Sequence, residues 1–374
     1  MDNYITIFEK LLDIINWDTL KKSTYKLKVD YNTAKNHLKA LLYFHLAKLD
    51  SLRDIDDFMH SDSKLKETIK SVSLGSLSNY NNDINYNVYV PIVNELISNA
   101  LDQLTVNEKI KKFGTVKLID SSTISMGKTY FKWAEFRSTK AGIKLHTKFN
   151  LGIGIPELIV VSNAKSHDKT KMKDLITESN CIYIFDKGYV DYKKFDEFSS
   201  NGIKFITRLK DNAAITEVSK LEISYSDHML LDDSINIIED TICYLGTEGI
   251  NITNSKYRVI TVVDSEGKML TFVTNIFEYT SEDIAWLYKK RWDIELFFKW
   301  IKQNLKIKKF IGYSLNAVMS QVVSGIITFI MMKLAQEESK TAYGLLKIKR
   351  LIKHSLTKLV FSSLFSWGQW LGSS

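Results

Sequence analysis

Cysteine is scarce in this chain, and its scarcity excludes a protein held together by a framework of disulfide bonds. Cys181 and Cys243 are the two cysteines among 374 residues, and they form no CxxC motif. A disulfide framework needs more cysteines at closer spacing. We therefore expect a protein of a reducing cytoplasm, with Cys181 as a small buried apolar residue.

Targeting signals, repeats and low-complexity segments are also missing. The N-terminal MDNYITIFEKLLDIINW is acidic at its start and lacks the pattern of a signal peptide. One long apolar run, Ala317 to Leu334, is interrupted by four uncharged polar residues. A lipid-facing span tolerates such residues poorly. We expect a core helix packed under the central domain rather than a membrane span.

Length and composition indicate a globular protein with an uneven distribution of charge. The chain has 374 residues, 45% of them hydrophobic, which is enough for two or three domains with real cores. Its net charge is +8, and the stretch from Leu287 to Phe310 carries eight Lys or Arg against two acidic residues. A basic face of this kind suits the path of a polyanion. The alternative is a solvated helix surface.

The same basic stretch carries four polar side chains at helical spacing. Tyr288, Arg291, Glu295 and Lys302 follow the pattern Y-x2-R-x3-E-x6-K. At about 100° per residue they fall within one stripe, roughly 60° wide, of a single helix. Six apolar side chains fall on another side, which is free to bury in a core. A carboxylate held among cations on a rigid helix suits a metal ion together with a phosphate backbone.

Two aspartates elsewhere in the chain are expected to join Glu295. The alternation over Val116 to Ile119 predicts a strand that delivers Asp120 near its end. The apolar run Cys181–Phe185 predicts a buried strand with Asp186 at its exit. Hard carboxylate oxygens suit Mg²⁺ or Mn²⁺. Two such ions can activate an attacking oxygen and stabilise a leaving oxygen in phosphoryl transfer.

These residues resemble a known family. The spacing of Tyr288, Arg291, Glu295 and Lys302 is similar to the YREK motif of bacterial DDE transposases of the insertion-sequence-four type. LIDSSTIS around Asp120 resembles the first catalytic segment of that family, and FDKGYVDY around Asp186 resembles the second. The segments KAGIKLHTKFN and RWDIELFFKWIKQNLKIKKFIG are also similar to blocks of the family.

The resemblance implies a fold class and a reaction. The fold is α/β: a ribonuclease-H-like catalytic domain with an inserted β-rich subdomain, preceded by an all-α N-terminal domain. Asp120, Asp186 and Glu295 would bind two Mg²⁺ ions, for which Mn²⁺ can substitute, and would cut and rejoin DNA. An insertion is expected because 109 residues separate Asp186 from Glu295, against 66 between the two aspartates.

The resemblance also implies partners and a place of action. The expected partner is double-stranded DNA, both the terminal inverted repeats of the transposon and the target. A homodimer is expected in the DNA complex, because two ends must be cut in concert. The expected location is the bacterial cytoplasm, in association with the nucleoid and not with a membrane.

Three domains are predicted along the chain. Residues 1–110 form a helical domain expected to bind DNA ends, for which a plain helical packing domain is the alternative. Residues 111–312 form the catalytic domain, with the β-rich insertion at about 211–275. Residues 313–374 form a helical C-terminal region. Gly75 to Asn82 is expected to be a polar break between helices.

Secondary structure in the central region follows from hydrophobic periodicity. Ser281 is expected to cap the helix that carries Glu295. The other elements share short apolar runs bounded by turn residues. Strands are predicted at 116–119, 144–151, 158–161, 181–185, 203–209, 222–225, 241–245, 257–263 and 269–274, and helices at 168–177 and 192–198.

Several basic and polar residues are candidates for DNA contact. Arg291 and Lys302 are expected to bind phosphates, Arg291 as a bidentate fork and Lys302 as a point charge. An intrahelical pair with Glu295 is an alternative for Arg291. Tyr288 is expected to donate a hydrogen bond to a phosphate, with a surface aromatic as its alternative. Arg208 and Lys210 follow a strand beside the site and are candidates for phosphate contact.

Weaker candidates lie around these residues. His167 and Asp168 could support the site, although an ordinary loop histidine is the simpler interpretation. Lys144 and His146 flank a strand and could face DNA. Some members of the resembled family open the transposon end through a DNA hairpin and stack an aromatic side chain on a flipped base. The insertion lacks tryptophan, so this stacking role would fall to its tyrosines or Phe272.

Two other functions stay open at this stage. A structure-specific nuclease or resolvase would use the same carboxylates without joining strands. A non-enzymatic DNA-binding regulator would keep the fold, although a regulator has no need of three convergent carboxylates.

Overall fold

The computed structural model describes residues 4–70, 72–137, 140–165, 168–225, 235–305, 307, 309–362 and 365–372. The chain folds into two compact units, each built from more than one stretch of sequence. The helical unit comprises Met1–Thr105, Ile124–Gly142 and Phe298–Ser374. The sheet unit comprises Val106–Thr123 and Ile143–Phe297. The predicted domain roles of residues 1–110, 111–312 and 313–374 stay predictions.

The content of the described residues is mixed α/β. The helices are α1 (Ile7–Leu12), α2 (Trp17–Leu27), α3 (Tyr31–Ala47), α4 (Leu52–Ser61), α5 (Ser63–Ile69), α6 (Leu74–Asp83), α7 (Val90–Gln103), α8 (Glu108–Lys111), α9 (Asp168–Leu175), α10 (Tyr192–Ser200), α11 (Ser281–Lys289), α12 (Trp292–Asn304), α13 (Leu315–Ser339), α14 (Leu345–Lys353) and α15 (Trp367–Gly372). The strands are β1 (Tyr4–Thr6), β2 (Thr115–Met126), β3 (Glu135–Arg137), β4 (Lys140–Asn150), β5 (Ile155–Asn163), β6 (Cys181–Phe185), β7 (Lys204–Arg208), β8 (Ile215–Lys220), β9 (Ile235–Leu245), β10 (Tyr257–Asp264), β11 (Met269–Thr274) and β12 (Leu359–Phe361).

Helix α13 forms the core of the helical unit. Among the described residues it is long and apolar enough to cross a membrane, but 89% of its most apolar 18-residue window is buried. It packs against α3, α6, α7 and α15. His45 of α3 reaches it, with Nε2 lying 3.0 Å from both the Gln321 carbonyl oxygen and Ser324 Oγ. Gln321, Ser324 and Thr328 of the apolar run therefore form hydrogen bonds inside the protein, as expected for a core helix.

The predicted polar break at Gly75 to Asn82 is wrong, because this segment is helix α6. Ser73 caps the helix, since its Oγ accepts a hydrogen bond from the Ser76 amide at 3.1 Å. Leu77 and Asn81 are buried. Packing on α13 and α3 thus overrides a composition rich in Ser, Asn and Gly.

The sheet unit is built on one large mixed sheet. Its strand order is β5-β4-β2-β6-β7-β11-β10-β9-β8, and β3 pairs with the first residues of β4. Strands β2, β6 and β7 are parallel, whereas β4 and β5 are antiparallel to each other. When the short strand β3 is left out, strands β2, β4, β5, β6 and β7, numbered 1 to 5 in order of sequence, are arranged 3-2-1-4-5. Helices α9 and α10 contribute to its core, where the Phe195 and Phe205 rings stack at 4.5 Å.

Strands β8 to β11 extend this sheet, because β11 pairs antiparallel with β7. A turn at Asp264 to Lys268 joins β10 to β11, and the Asp264 carboxylate accepts hydrogen bonds from the Glu266 and Lys268 amides. The predicted strand at Glu222 to Tyr225 is wrong. The edge strand is instead Ile215–Lys220, whose residues are exposed along its whole length and therefore lack a burial pattern.

Candidate active site

The two predicted aspartates lie side by side on neighbouring strands. In the parallel pairing of β2 with β6, Ile119 is the partner of Phe185. Asp120 and Asp186 are the next residues on each strand, so their backbones are separated by about 4.8 Å, the spacing of adjacent strands. Asp120 does not end its strand as predicted, because β2 continues to Met126. It stands where the pairing with β6 ends.

Glu295 is joined to Asp120 through an arginine. Arg291 Nη2 donates a hydrogen bond to Glu295 Oε1 at 2.6 Å, and its Nη1 lies 3.5 Å from Asp120 Oδ2. All three side chains are only partly exposed to solvent. The predicted pair between Arg291 and Glu295 is therefore present, and the same guanidinium also neutralises the first aspartate.

The single helix predicted to carry Tyr288, Arg291, Glu295 and Lys302 is wrong. Helix α11 ends at Lys289, and α12 begins at Trp292. At the break the Arg291 amide bonds to the Tyr288 carbonyl, a tighter spacing than the α-helical one. The capping residue of α11 is Thr280 rather than Ser281, and it forms a capping box with Asp283.

The pKa of Asp120 depends on its burial and on the charges around it. The pKa of Asp120 is raised to about 6, chiefly because burial penalises the charged form. The Ser121 amide, which donates to Asp120 Oδ1 at 2.7 Å, and the Arg291 guanidinium lower this pKa. The negative charges of Glu295 and Asp186 raise it. Asp120, Asp186 and Glu295 therefore share one electrostatic environment, in which an added cation would stabilise the charged form of Asp120.

Tyr288 lies beneath the site rather than on an exposed face. The residue is only 8% exposed, and its ring packs on Phe272 of β11 with ring centroids 4.3 Å apart. Burial raises the pKa of its hydroxyl to about 12. The Arg291 guanidinium carbon lies 5.9 Å from the centre of the ring. Tyr288 thus supports Arg291 from below.

The other predicted DNA contacts occupy different positions. Arg208, the last residue of β7, donates from Nη2 to Asp211 Oδ1 at 2.9 Å and is largely buried. Lys210 is exposed and lines a cavity with Asp186. Lys302 is half-buried on α12, in the part of the chain that belongs to the helical unit. Their contacts with DNA stay predictions.

A second polar cluster lies next to Asp120 and was only partly expected. Ser121 Oγ donates to Asp168 Oδ1 at 2.6 Å, and Lys144 Nζ lies 3.2 Å from the same oxygen. His146 Nδ1 is 3.6 Å from it. Asp168 therefore fixes Ser121, whose amide donates a hydrogen bond to Asp120. His167, the other candidate here, lies outside the described residues.

Ser121 and Tyr189 were missed by sequence reasoning. The serine directly follows a catalytic candidate, which is a weak signal. The fully buried Tyr189 hydroxyl has no hydrogen-bond partner within the described structure. Burial raises its pKa, and the charges of Asp168, Asp120 and Asp186 raise it further. Its context in FDKGYVDY, which mixes aromatic and charged residues, gave no indication of this position.

The donor chemistry of the site fits a divalent cation, but the carboxylates do not form a ready-made ligand set. Within the described ranges, no three His, Cys, Asp or Glu side chains are grouped so that they could hold a metal ion. The Arg291 guanidinium lies between Asp120 and Glu295 instead. Hard carboxylate oxygens nevertheless suit such an ion, and an added cation would favour the charged form of Asp120, whose pKa burial raises. Metal binding would require the guanidinium to move or to share its two carboxylates.

Comparison with known proteins identifies the family. Residues 111–331 match the family described as Transposase DDE domain. Residues 3–68 match a domain of unknown function, DUF4372. The first match covers more than half of the chain and includes Asp120, Asp186 and Glu295.

Relatives of known name agree with this match. The chain is 28% identical over 60% of its length to "Probable transposase for insertion sequence element IS5377" of Geobacillus stearothermophilus, and it spans 58% of that relative. It is 30% identical over 69% of its length to "Putative transposase y4zB" of Sinorhizobium fredii, spanning 70% of that protein. It is 27% identical over 66% of its length to "Putative transposase for insertion sequence element IS4SA" of Synechocystis, spanning 68% of it.

A solved structure of piggyBac transposase in a synaptic complex with hairpin DNA matches 92% of this chain and 73% of its own, with a TM-score of 0.48 and 9% identity. The family match and the named relatives decide the assignment without it. The chain therefore belongs to the family of DDE-domain transposases, with relatives encoded by bacterial insertion sequences.

Proposed function

We propose that this chain is a DNA transposase that cuts DNA at the ends of an insertion sequence and joins those ends to a target. The observation that carries the proposal is the position of Asp120 and Asp186 on adjacent parallel strands, with Arg291 linking Asp120 to Glu295. The 3-2-1-4-5 strand order supports a ribonuclease-H-like fold, in which β8 to β11 are the inserted β-rich region. The spacing of Tyr288, Arg291, Glu295 and Lys302 supports the insertion-sequence-four type.

Asp120, Asp186 and Glu295 would hold two divalent ions, Mg²⁺ or Mn²⁺. Such ions activate an attacking oxygen and stabilise a leaving oxygen when they are bound. The chain itself orients the carboxylates. The Ser121 amide fixes one oxygen of Asp120, and Arg291 holds Glu295 from the preceding turn. Arg291 also supplies a fork of donors that can pass from the carboxylates to a phosphate.

The four basic residues predicted from the sequence would bind the DNA backbone. Arg291, Arg208 and Lys210 belong to the sheet unit and Lys302 to the helical unit. Tyr288 would act by supporting Arg291 as well as through its hydroxyl. The ligand would be double-stranded DNA, first the terminal inverted repeats and then the target.

The remaining parts of the account follow the same proposal. Residues 1–110 would bind the DNA ends, and residues 313–374 would complete the protein as a helical C-terminal region. A homodimer would bring two ends together so that they are cut in concert. The protein would act in the bacterial cytoplasm, on DNA of the nucleoid.

The test of this proposal separates cutting from joining. A duplex carrying the element's own end, taken from the DNA that flanks the gene, is incubated with the protein and Mg²⁺ or Mn²⁺. A second duplex, already cut to expose the 3′ hydroxyl, is incubated with a plasmid target. We expect cleavage at the end junction and joining of the pre-cut end to the plasmid.

Glu295→Gln is expected to lower both rates by more than about 100-fold, because even residues that only orient a metal ligand contribute 10–100-fold. Its binding of the duplex should be unchanged. Glu266→Gln, in the exposed hairpin turn, is the matched control and should behave as wild type. Cutting without joining would favour a structure-specific nuclease. Binding without either reaction would favour a regulator.

A further inference from the structure

A cleft beside the carboxylates has features that the proposed reaction leaves unexplained. It has a volume of about 460 Å³ and lies between the starts of α9 and α10 and two loops of the sheet unit. A neighbouring cavity of about 570 Å³ is lined by Asp186. Lys210 and Asn212 line both, so the cleft continues to the proposed catalytic carboxylates. Its size is that of a pocket for a small ligand such as one nucleotide unit.

Three lysines from separate elements face this cleft. Lys169 comes from α9, Lys193 from α10 and Lys210 from the loop after β7, and all three are exposed. One acidic residue, Asp191, lines it as well, and its carboxylate caps α10 by accepting from the Lys194 amide. The cleft is therefore strongly positive.

These three lysines have no acidic partner in the part of the chain that the structure describes. Four other lysines of the sheet unit do form ion pairs: Lys171 with Asp174, Lys194 with Glu197, Lys204 with Glu278 and Lys220 with Glu239. Across the described ranges no ion pair joins Lys169, Lys193 or Lys210 to a carboxylate. Three uncompensated charges around one concave surface attract an anion.

One wall of the cleft is fixed by a glycine that other residues could not replace. Gly246 has φ +94°, and a Cβ at this position would lie 2.3 Å from the Asn251 carbonyl oxygen. The Gly246 amide donates to the Ala214 carbonyl at 2.8 Å, which ties the loop after β9 to the loop after β7. The Thr247 amide donates to Asn251 Oδ1 at 2.9 Å. The wall is thus preformed by short hydrogen-bonded loops.

We propose that this cleft binds the phosphodiester backbone of the DNA strand immediately next to the scissile phosphate, with Lys169, Lys193 and Lys210 as the phosphate contacts. The inference rests on the proposed function, because the cleft adjoins the carboxylates that would cut the strand. It goes further by naming two lysines outside the catalytic motifs. It also assigns the direction in which one strand leaves the active site.

The salt dependence of DNA binding tests the proposal. Each lost phosphate contact lowers the slope of log K against log salt concentration by about 0.9. The double variant Lys169→Gln with Lys193→Gln should therefore lose about 2 from the slope, and bind roughly 30-fold more weakly at 0.15 M salt. The probe is a duplex carrying the element's own end and part of the flanking DNA.

The matched control removes the same charge from the same two helices. Lys173 on α9 and Lys194 on α10 do not line the cleft, so Lys173→Gln with Lys194→Gln should leave the slope within about 0.5 of wild type. All four positions are at the surface, and thermal unfolding should show that both double variants are folded.

A second measurement locates the contact on the DNA. Neutral methylphosphonate groups are placed singly at the phosphates nearest the cut. A methylphosphonate at a phosphate that the cleft contacts should weaken DNA binding by the wild type. The same substitution should not weaken binding by the Lys169→Gln, Lys193→Gln variant any further, since both changes remove the same interaction. Additive losses at every phosphate, or equal slopes for the two double variants, would overturn the cleft assignment. Failure of the wild type to bind or cut the duplex would instead overturn the proposed function.

Discussion

The buried ion pair between Asp240 and Arg258 should be essential to the sheet unit although it is remote from the chemistry. Asp240 is 1% exposed and Arg258 is 3% exposed, on neighbouring strands β9 and β10. Arg258 Nε donates to Asp240 Oδ1 at 3.0 Å and its Nη2 to Oδ2 at 2.5 Å. Ser281 Oγ donates to Asp240 Oδ2 at 2.6 Å. The pair therefore fixes the start of α11, the helix that carries Tyr288.

Removing one partner leaves the other charge buried and uncompensated. Asp240→Ala and Arg258→Met should each lower the free energy of unfolding by about 3–5 kcal/mol. If the two losses were independent, the double variant would lose about 6–10 kcal/mol. We expect it to lose only about 2–5 kcal/mol, because no charge is left buried. The residual loss comes from the Ser281 hydroxyl and the Tyr279 carbonyl, which lose hydrogen bonds worth about 1–3 kcal/mol each.

The assay is urea unfolding of the four proteins, followed by far-ultraviolet circular dichroism, at one pH and salt concentration. The coupling energy in this cycle should be at least about 1 kcal/mol. Losses that add to within about 0.5 kcal/mol would refute the reasoning, because they would mean that neither charge depends on the other.

Other consequences of the structure are open to equally direct measurement. Asp168→Asn should lower the cleavage rate by about 10–100-fold without weakening DNA binding, because Asp168 holds the Ser121 residue that orients Asp120; a loss of binding equal to the loss of rate would contradict this. Burial lowers the pKa of His45 to about 3. The contribution of the neutral imidazole to stability is therefore present above pH 6.5 and is lost as the pH falls. Between pH 6.5 and pH 4 this amounts to roughly 3 kcal/mol, and acid titration of His45→Gln should show a correspondingly smaller loss than wild type. Gly246→Ala should lower the unfolding free energy by more than about 1 kcal/mol, since both its φ of +94° and the Asn251 carbonyl oppose a Cβ; an unchanged urea midpoint would show that the loop adapts.

Local pattern was sufficient to place each of the two aspartates at the exit of a strand. The run Cys181–Phe185 is apolar because β6 is buried on both faces, and such strands occur in parallel sheets. The alternation before Asp120 indicated its neighbour β2. Two parallel strands that end their pairing at the same register necessarily present their next residues at one edge of the sheet. The adjacency of Asp120 and Asp186 therefore follows from their strand positions together with the parallel pairing of β2 and β6.

Long-range packing decided what the sequence could not predict. Apolar residues continue in helical phase across Lys290, so periodicity gives no sign of the break between α11 and α12. Tyr288 was expected on a polar face, but Phe272 from another strand covers it. Ser121 and Asp168 are 47 residues apart, and only the folded sheet brings them within 2.6 Å. Contacts of this kind depend on tertiary structure rather than on local spacing.

The most direct test of the central claim is metal-dependent cutting of the element's own end. Wild type, Asp120→Asn and the control Asp264→Asn are compared on one duplex with Mg²⁺, with Mn²⁺ and with a chelator. The account predicts cuts at the end junction by wild type and Asp264→Asn in either metal, and none by Asp120→Asn or with the chelator. Equal cutting by Asp120→Asn, or cutting that persists in the chelator, would contradict the claim that these carboxylates hold the ions that perform the reaction.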